Sequence, residues 1–264
     1  MWRQGLFDRM PAVIDHTTVA IEDEGGAWSV FMIDVSEHMF PEDRRIKRDE
    51  VKRILSGAAE VHKSFWGESF PELCSLEDRY RLLSPQTARA EHARGTTVGD
   101  TLDHGWETFT QHVPSDFAEV IRALAEQPQP LCDRLRECEQ TLIHGDLRLG
   151  NLGLQEDRVV LIDWGDRTGT APPAVDLMWF LGFDAARLEM TKNEVVEEFT
   201  SLYGDRFDAD ALALSFLGGC VHLGCHLGLG VFYAQDDLSR EEALAELNWW
   251  VEAAERGLEV WSPG

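Results

Sequence analysis

Residues 141–166, T-L-I-H-G-D-L-R-L-G-N-L-G-L-Q-E-D-R-V-V-L-I-D-W-G-D, constrain this chain more than any other stretch. A short apolar run ends in H-G-D at Asp146, and a tight turn follows as far as Asn151. A predicted hairpin turn at residues 155–158 leads into V-V-L-I, which is typical of a short buried strand and ends at Asp163. Two carboxylates and one amide therefore stand where strands give way to loops. Such hard oxygen ligands suit Mg²⁺, which keeps several waters and binds one or two carboxylates plus phosphates.

The pattern H-G-D-x-x-x-x-N followed by I-D-W resembles the catalytic core of the aminoglycoside phosphotransferase and choline kinase group, which are small-molecule relatives of protein kinases. Protein kinases have H-R-D-x-x-x-x-N in the corresponding loop and D-F-G at the metal aspartate. The resemblance implies an α+β, protein-kinase-like fold with a truncated small β lobe. A mainly helical large lobe with a short catalytic β hairpin would follow. The competing interpretation is a structural hairpin with polar turn residues.

The same resemblance implies a phosphotransferase with an alcohol group as acceptor, using ATP or GTP and Mg²⁺. In that reading Asp146 orients or deprotonates the substrate hydroxyl. Asn151 and Asp163 hold the metal and, through it, the nucleotide. Arg148 stands where protein kinases have a lysine, two residues after the catalytic aspartate, and would neutralise phosphate charge. His144 would fix the loop rather than do chemistry.

A hairpin and a hinge are predicted ahead of this core. Residues 17–21 and 27–33 have strand character, and a turn at residues 23–26 with two glycines joins them. The resemblance places M-I-D-V at the hinge, whose backbone hydrogen-bonds the nucleotide base in this group. Ile33 and Val35 are therefore candidate nucleotide-binding residues.

We expect residues 1–40 to form the remnant of the small lobe and the hinge, and residues 41–264 to form the large lobe. Only about 33 residues precede the hinge, and they contain no glycine-rich phosphate loop and no lysine. These parts matter because phosphoryl transfer depends on positioning and charge neutralisation. Three explanations stay open: a fragment of a longer protein, a short form that uses Arg148 or Arg9 for charge, and a kinase-like binding or regulatory protein without catalysis. A further alternative is a metal-dependent hydrolase that uses the same carboxylates, but no motif other than these carboxylates supports it.

Helical periodicity dominates the rest of the chain. Apolar residues at three- and four-residue spacing predict a helix over residues 44–66. It places His62 on the buried face, where a histidine is usually a satisfied core residue. Residues 85–97 are polar and predicted to be a loop. The resemblance implies that Asp176 anchors the backbone of the catalytic loop, and capping of the helix that begins there is the competing account.

The uncharged residues 211–234 are long enough to span a bilayer. Their five glycines and two histidines favour a buried helix or helix pair instead. Cys220, His222, Cys225 and His226 invite a zinc interpretation, but the surrounding run of Leu, Gly and Val favours helix packing.

Charge and cysteine usage set the expected partners. The 264 residues carry a formal net charge of −24, which repels nucleic acid and anionic membranes and favours a cationic substrate. We therefore expect a nucleoside triphosphate and a small hydroxylated substrate as partners, and neither nucleic acid nor membrane. The five cysteines include no C-x-x-C pair, and no export signal precedes them, so we expect a reduced, cytoplasmic setting.

Overall fold

The computed structural model describes residues 1–23 and 25–261. The helices are α1 Arg48–Ser64, α2 Leu76–Arg81, α3 Pro85–Arg94, α4 Val98–His112, α5 Ser115–Glu126, α6 Gln129–Arg136, α7 Ala174–Asp184, α8 Lys192–Ser201, α9 Ala209–Phe232 and α10 Asp237–Trp261. The strands are β1 Ile14–Asp15, β2 Thr18–Asp23, β3 Trp28–Met32, β4 Thr141–Ile143, β5 Leu152–Leu154, β6 Val159–Leu161 and β7 Gly169–Ala171. The order of few short strands and many helices is that of an α+β fold.

The chain groups into two compact units. The first combines Met1–Leu73 with Gln140–Phe207, and the second combines Cys74–Glu139 with the chain from Asp208 onward. The predicted hairpin and hinge thus lie in the same unit as residues 141–166. The predicted boundary between the small and large lobes, after residue 40, is a different division from that into compact units. It stays a prediction.

The predicted hairpin forms at the start of the first unit. β2 and β3 are antiparallel, with Ile21 opposite Val30 and Asp23 opposite Trp28. Glu24, in the predicted turn, lies outside the described residues. Asp23 Oδ1 accepts the N–H of Gly25 at 3.1 Å, which is the local side-chain bond that favours aspartate in turns.

Strand β3 is apolar and exposed. Trp28, Val30, Phe31, Met32 and Ile33 each keep between 43% and 57% of their surface accessible. Within the part of the chain that the structure describes, β3 pairs only with β2, so its outer edge is open. Charged residues or prolines usually protect such an edge, and β3 has neither.

The hairpin β5–β6, within residues 141–166, is anchored from both sides in the first unit. β6 pairs in parallel with β1, Ile14 opposite Val159, and antiparallel with β5. The predicted helix over residues 44–66 is confirmed as α1. It approaches β6 so closely at Gly57 that a Cβ there would lie 2.8 Å from Val159 Cγ2. Glycine therefore lets the helix lie directly against the hairpin that carries the candidate site.

The prediction of a loop over residues 85–97 is wrong, because Pro85–Arg94 forms α3. Ser84 Oγ accepts the N–H of Thr87 at 3.2 Å, and Pro85 occupies the first turn. Gly95 ends the helix in the left-handed conformation with φ 74°. Serine-proline at the start and glycine at the end are helix boundary signals, and they outweigh the polar composition between them.

The uncharged residues 211–234 lie largely within one continuous helix, α9, which packs between α4 and α10 in the second unit. Cys220 Sγ donates to the Trp250 carbonyl and Cys225 Sγ to the Leu102 carbonyl, each at 3.5 Å. Burial raises the pKa of both thiols, so they remain protonated packing residues. The described residues contain no group of three or more His, Cys, Asp or Glu side chains placed to hold a metal ion.

By length and composition α9 could cross a membrane, since its most apolar window has a mean hydropathy of 1.5. However, 83% of that window is buried inside the protein, as expected for a core helix.

The crossing of α9 with α4 depends on Gly228. A Cβ at this position would lie 1.9 Å from the Gly105 carbonyl oxygen and 2.8 Å from the Phe109 nitrogen. We expect Gly228→Ala to lower the free energy of unfolding by about 3 kcal/mol or more, because backbone rather than a flexible side chain must move. Urea denaturation followed by circular dichroism measures this change.

Gly230 provides the matched control on the same helix. The nearest atom to a Cβ there is Ala243 Cβ at 4.0 Å. Gly230→Ala is therefore expected to be neutral or to stabilise by up to about 1 kcal/mol, because alanine is the better helix former. Equal effects of the two substitutions would contradict the close crossing.

Candidate active site

The hairpin β5–β6 brings two of the predicted site residues to one end. Leu152 pairs with Leu161, and the Ile162 N–H donates to the Asn151 carbonyl at 3.0 Å. Asp163 is the next residue along the chain. Asn151 and Asp163 therefore lie at the same end of the hairpin, where its strands give way to loops.

Asp146 lies beneath this end of the hairpin and is only 4% exposed. The side-chain amide of Asn151 donates to the Asp146 carbonyl at 2.9 Å and to its Oδ2 at 3.1 Å. The five-residue spacing thus closes the loop on itself through one amide. Because the Asn151 NH₂ group is used in this way, its side-chain oxygen is the atom left for a cation.

Two arginines balance the charge of Asp146. Arg167 Nη1 donates to Oδ1 at 3.0 Å, and Arg148 Nε lies 3.6 Å from Oδ2. The Arg167 guanidinium also lies 5.4 Å from the centre of the Trp179 ring. A carboxylate offers about four acceptor positions, so these contacts leave room for a substrate hydroxyl to donate to Asp146.

Asp176 holds the beginning of the catalytic loop. Its carboxylate accepts the His144 N–H at 2.8 Å and the Gly145 N–H at 2.7 Å. The N-cap position of α7 is Pro173, and no side chain caps it. The capping account is therefore wrong, and the backbone-anchoring role implied by the resemblance is the one the geometry shows.

His62 braces Asp176 from α1. Its Nε2 lies 3.1 Å from Asp176 Oδ2, and its Nδ1 lies 2.6 Å from the Tyr203 hydroxyl. Burial raises the Tyr203 pKa, so the hydroxyl stays a donor and Nδ1 accepts. We assign the tautomer with Nε2–H donating to Asp176. Both ring nitrogens are satisfied, as expected for a core histidine.

Both ring nitrogens of His144 form hydrogen bonds with backbone groups. Nε2 donates to the Ile162 carbonyl at 2.9 Å, and Nδ1 accepts the Asp146 N–H at 3.2 Å. Burial lowers the His144 pKa, which keeps the ring neutral. The residue thus ties the loop before Asp146 to Ile162, which lies between β6 and Asp163.

Asp184, the last residue of α7, holds the loop on the other side of Asp146. Its Oδ2 accepts the Leu149 N–H at 2.7 Å, and the side chain is buried. Burial raises the Asp184 pKa to about 6, against the opposing effects of the Leu149 hydrogen bond and of Arg187 and Arg148.

Asp163 has an uncommon backbone conformation. It is exposed, with φ 63°, and Thr17 is the other non-glycine residue with positive φ in the described backbone. Strained φ/ψ values of this kind cluster at functional sites. A Cβ on Gly165 would lie 3.3 Å from Asp163 Oδ1, so the glycine keeps the space beside the carboxylate clear.

The donor set fits Mg²⁺ bound mainly through water and phosphate. Asp163 offers one exposed carboxylate and Asn151 an amide oxygen, and both residues lie at the same end of the β5–β6 hairpin. Mg²⁺ needs few protein ligands when phosphate oxygens and waters supply the others. The chemistry of these two residues therefore suits a nucleotide-bound magnesium ion rather than a cage of protein ligands.

The sequence of residues 11–214 matches the profile of the phosphotransferase enzyme family. This match covers well over half of the chain. The chain belongs to the phosphotransferase enzyme family. By family it is a phosphotransferase that acts on hydroxylated substrates. Among the curated proteins, no sequence matches this phosphotransferase family member.

Solved structures with the same fold include three with TM-scores above 0.5. A choline/ethanolamine kinase family protein from Mesorhizobium loti has 15% identity and TM-score 0.52, over 92% of this chain and 76% of that one. A microcompartment-associated aminopropanol kinase has 18% identity and TM-score 0.55, over 98% and 80%. An aminoglycoside phosphotransferase from Alicyclobacillus acidocaldarius has 13% identity and TM-score 0.51, also over 98% and 80%. The protein-kinase-like α+β fold is therefore confirmed.

The two predicted hinge residues differ in their surroundings. Ile33 is 57% exposed, whereas Val35 is buried. The Ile33 N–H already donates to the Thr17 carbonyl at 2.9 Å, and the Val35 carbonyl accepts the His38 N–H at 2.8 Å. Those backbone groups are engaged within the chain, and nucleotide binding by Ile33 and Val35 stays a prediction.

A cavity of about 700 Å³ opens in the first unit beside the hairpin β2–β3. Its walls include side chains of both strands and the residues that follow Asp163: Ile21, Trp28, Val30, Trp164 and Gly165. Its volume is within the range of small-molecule sites.

Sequence reasoning missed Arg167 and Asp184. Arg167 lies in a loop whose return to Asp146, 21 residues earlier, depends on tertiary structure. Asp184 had a readable signal, because it follows Asp176 by eight residues in an otherwise uncharged helix, A-V-D-L-M-W-F-L-G-F-D. Positions i and i+8 differ by about 80° around the helix axis, so the two aspartates share one broad face of the helix.

Proposed function

We propose that this chain transfers the terminal phosphate of ATP or GTP, bound with Mg²⁺, to a hydroxyl of a small substrate. The observation that carries the proposal is the placement of buried Asp146 against Asn151 and two arginines, beside the hairpin end that bears Asp163. In phosphoryl transfer the protein mainly positions the reactants and balances charge, and this arrangement suits both tasks.

Each residue has a proposed task. Asp146 orients the acceptor hydroxyl and takes its proton. Asn151 and Asp163 hold Mg²⁺, which when bound neutralises phosphate charge. Arg148, whose side chain is about half exposed, can reach from Asp146 towards a phosphate oxygen. The cavity beside Asp163 offers room for the nucleotide.

The acceptor we propose is a small hydroxylated cation. Two structural neighbours are named as choline/ethanolamine and aminopropanol kinases, which are kinases of amino alcohols. The net charge of −24 favours the same class. We place the protein in the cytoplasm, with neither nucleic acid nor membrane as partner.

A second candidate is a kinase-like binding or regulatory protein. The stretch before Ile33 lacks both a glycine-rich loop and a lysine, and this observation favours weak or absent catalysis. The metal-site residues would then serve binding alone. Phosphate transfer that depends on Asp163 would exclude this candidate.

Calorimetric titration with Mg-ATP tests the nucleotide site. Asp163→Asn is the appropriate variant, because asparagine tolerates positive φ whereas alanine adds strain. We expect Mg-dependent binding by the wild type and a loss of about tenfold or more in affinity in the variant, equivalent to about 1.4 kcal/mol.

Asp157→Asn is the matched control, since Asp157 is exposed at the opposite end of the same hairpin. It should bind as the wild type does. Binding that is unchanged in Asp163→Asn would remove Asp163 from the metal site. A panel of amino alcohols assayed with radiolabelled ATP then separates the enzyme from the binding protein.

A further inference from the structure

The catalytic loop is held at two points by one helix. At the start of α7, Asp176 accepts the N–H groups of His144 and Gly145, just before Asp146. At its end, Asp184 accepts the Leu149 N–H, just after Asp146. Eight residues of α-helix separate the two aspartates by about 12 Å, so a rigid element sets the span of the loop.

The bond at Leu149 controls the turn that arranges the Asp146 carboxylate. Residues Leu149–Asn151 form a single 3-10 turn, in which the Asn151 N–H donates to the Arg148 carbonyl at 2.8 Å. Asp184 fixes the first N–H of that turn. On either side of this fixed point lie Arg148 and Asn151, the two residues that contact Asp146 Oδ2.

The surroundings of Asp184 disfavour the ionised form of its carboxyl group. Its side chain is buried, with 5% of the residue exposed, and it lies at the C-terminal end of a helix, where a negative charge is unfavourable. Its folded-state pKa of about 6 exceeds the ordinary value of 3.8. The stabilisation from its protonated form is therefore complete below about pH 4 and is lost as the pH rises through 6. The charges that act on it are those of Arg187 and Arg148, which favour ionisation, and of Asp146, which opposes it.

We infer that Asp184 is a positioning residue for phosphoryl transfer: its carboxylate fixes Leu149 and thereby sets Arg148 and Asn151 against Asp146. The inference rests on the proposed function, because it assigns Asp184 to the same reaction. The Asp184 carboxylate lowers the stability of the protein at neutral pH and binds the Leu149 N–H. We therefore expect its favourable effect to be on the function of the loop that contains Leu149.

Asp184→Asn tests the inference, because asparagine keeps an acceptor for Leu149 but has no charge. At pH 7.5 we expect the unfolding equilibrium constant to fall by about 100-fold, following the two-unit difference in pKa. The difference from wild type should vanish below about pH 4. A neutral acceptor makes a weaker bond, so the Leu149 amide should exchange hydrogen faster despite the higher global stability.

Turnover is the second readout. We expect Asp184→Asn to lower kcat by tenfold or more and to leave the KM for nucleotide within about threefold, since the loop and not the nucleotide contact is loosened. Asp205→Asn, an exposed aspartate of the same unit, is the control and should change neither stability nor turnover. A purely structural residue would lose stability and activity together.

The outcomes separate this inference from the proposed function. A wild type without turnover on any acceptor contradicts the proposed function, and the exchange rate of the Leu149 amide in Asp184→Asn then decides the positioning role. A kcat within twofold of wild type in an active enzyme overturns the inference. A rate of hydrogen exchange at the Leu149 amide that is the same in Asp184→Asn as in the wild type also overturns the inference.

Discussion

Asp146→Asn is expected to lower the rate of phosphoryl transfer by about 10²–10⁴-fold, the range that general acid–base catalysis contributes. The substitution keeps the shape of the side chain and an oxygen for Arg167, and it removes the negative charge and the ability to take a proton. Arg148 and Arg167 are more than one-third exposed, so water can hydrate them once the charge is gone. The fold should therefore survive.

The measurement is initial velocity with saturating nucleotide and the best acceptor found. Thermal denaturation and Mg-ATP titration accompany it, because the loss should lie in kcat while binding stays within about threefold. Asp157→Asn again serves as the control. A variant that retains more than one-tenth of wild-type turnover would show that Asp146 is not the proton acceptor.

Asp176→Ala is expected to lower the free energy of unfolding by about 3–5 kcal/mol, the range for removing one partner of a buried, charged hydrogen-bond network. The carboxylate satisfies two backbone N–H groups and one ring nitrogen of His62, all buried. Truncation removes the carboxylate acceptor from these donors, and the loss of such a buried acceptor costs about 1–3 kcal/mol for each donor left unsatisfied. Urea denaturation at pH 7.5 measures the change.

Asp176 and Asp184, the two aspartates of α7, are expected to change stability in opposite directions when they are substituted. Asp176→Ala should destabilise the protein, whereas Asp184→Asn should stabilise it at the same pH. Asp176→Asn, which retains one acceptor oxygen, should fall between wild type and Asp176→Ala. A loss below about 1 kcal/mol in Asp176→Ala would mean that the loop is supported by other contacts.

The core of the site could be predicted from sequence because its geometry is local. Asp146 and Asn151 are five residues apart, and a single amide closes that loop. Asn151 and Asp163 flank one short hairpin, whose register brings Ile162, the residue before Asp163, to the Asn151 carbonyl. Within one turn or one hairpin, the number of residues between two positions largely fixes the distance between them in space. A sequence motif of this kind therefore predicts geometry.

The remaining features depend on contacts between distant segments. Arg167 reaches Asp146 across 21 residues, and Asp184 reaches Leu149 across 35. The helical spacing from Asp176 sets Asp184 apart, but no periodicity in the sequence records which distant residue either side chain contacts. The α3 error has another cause, because its signals at Ser84, Pro85 and Gly95 were present and the polar composition between them was given too much weight.

The open edge of β3 sets conditions on handling the protein in solution. The strand offers unpaired backbone groups flanked by apolar side chains, which is the arrangement through which chains add to one another. Mutual repulsion between molecules of charge −24 opposes that addition at low ionic strength. Near 1 M salt the Debye length shrinks to about 3 Å, and this protection is screened. The acidic surface thus acts as a colloidal stabiliser for a strand whose own five residues include neither a charge nor a proline.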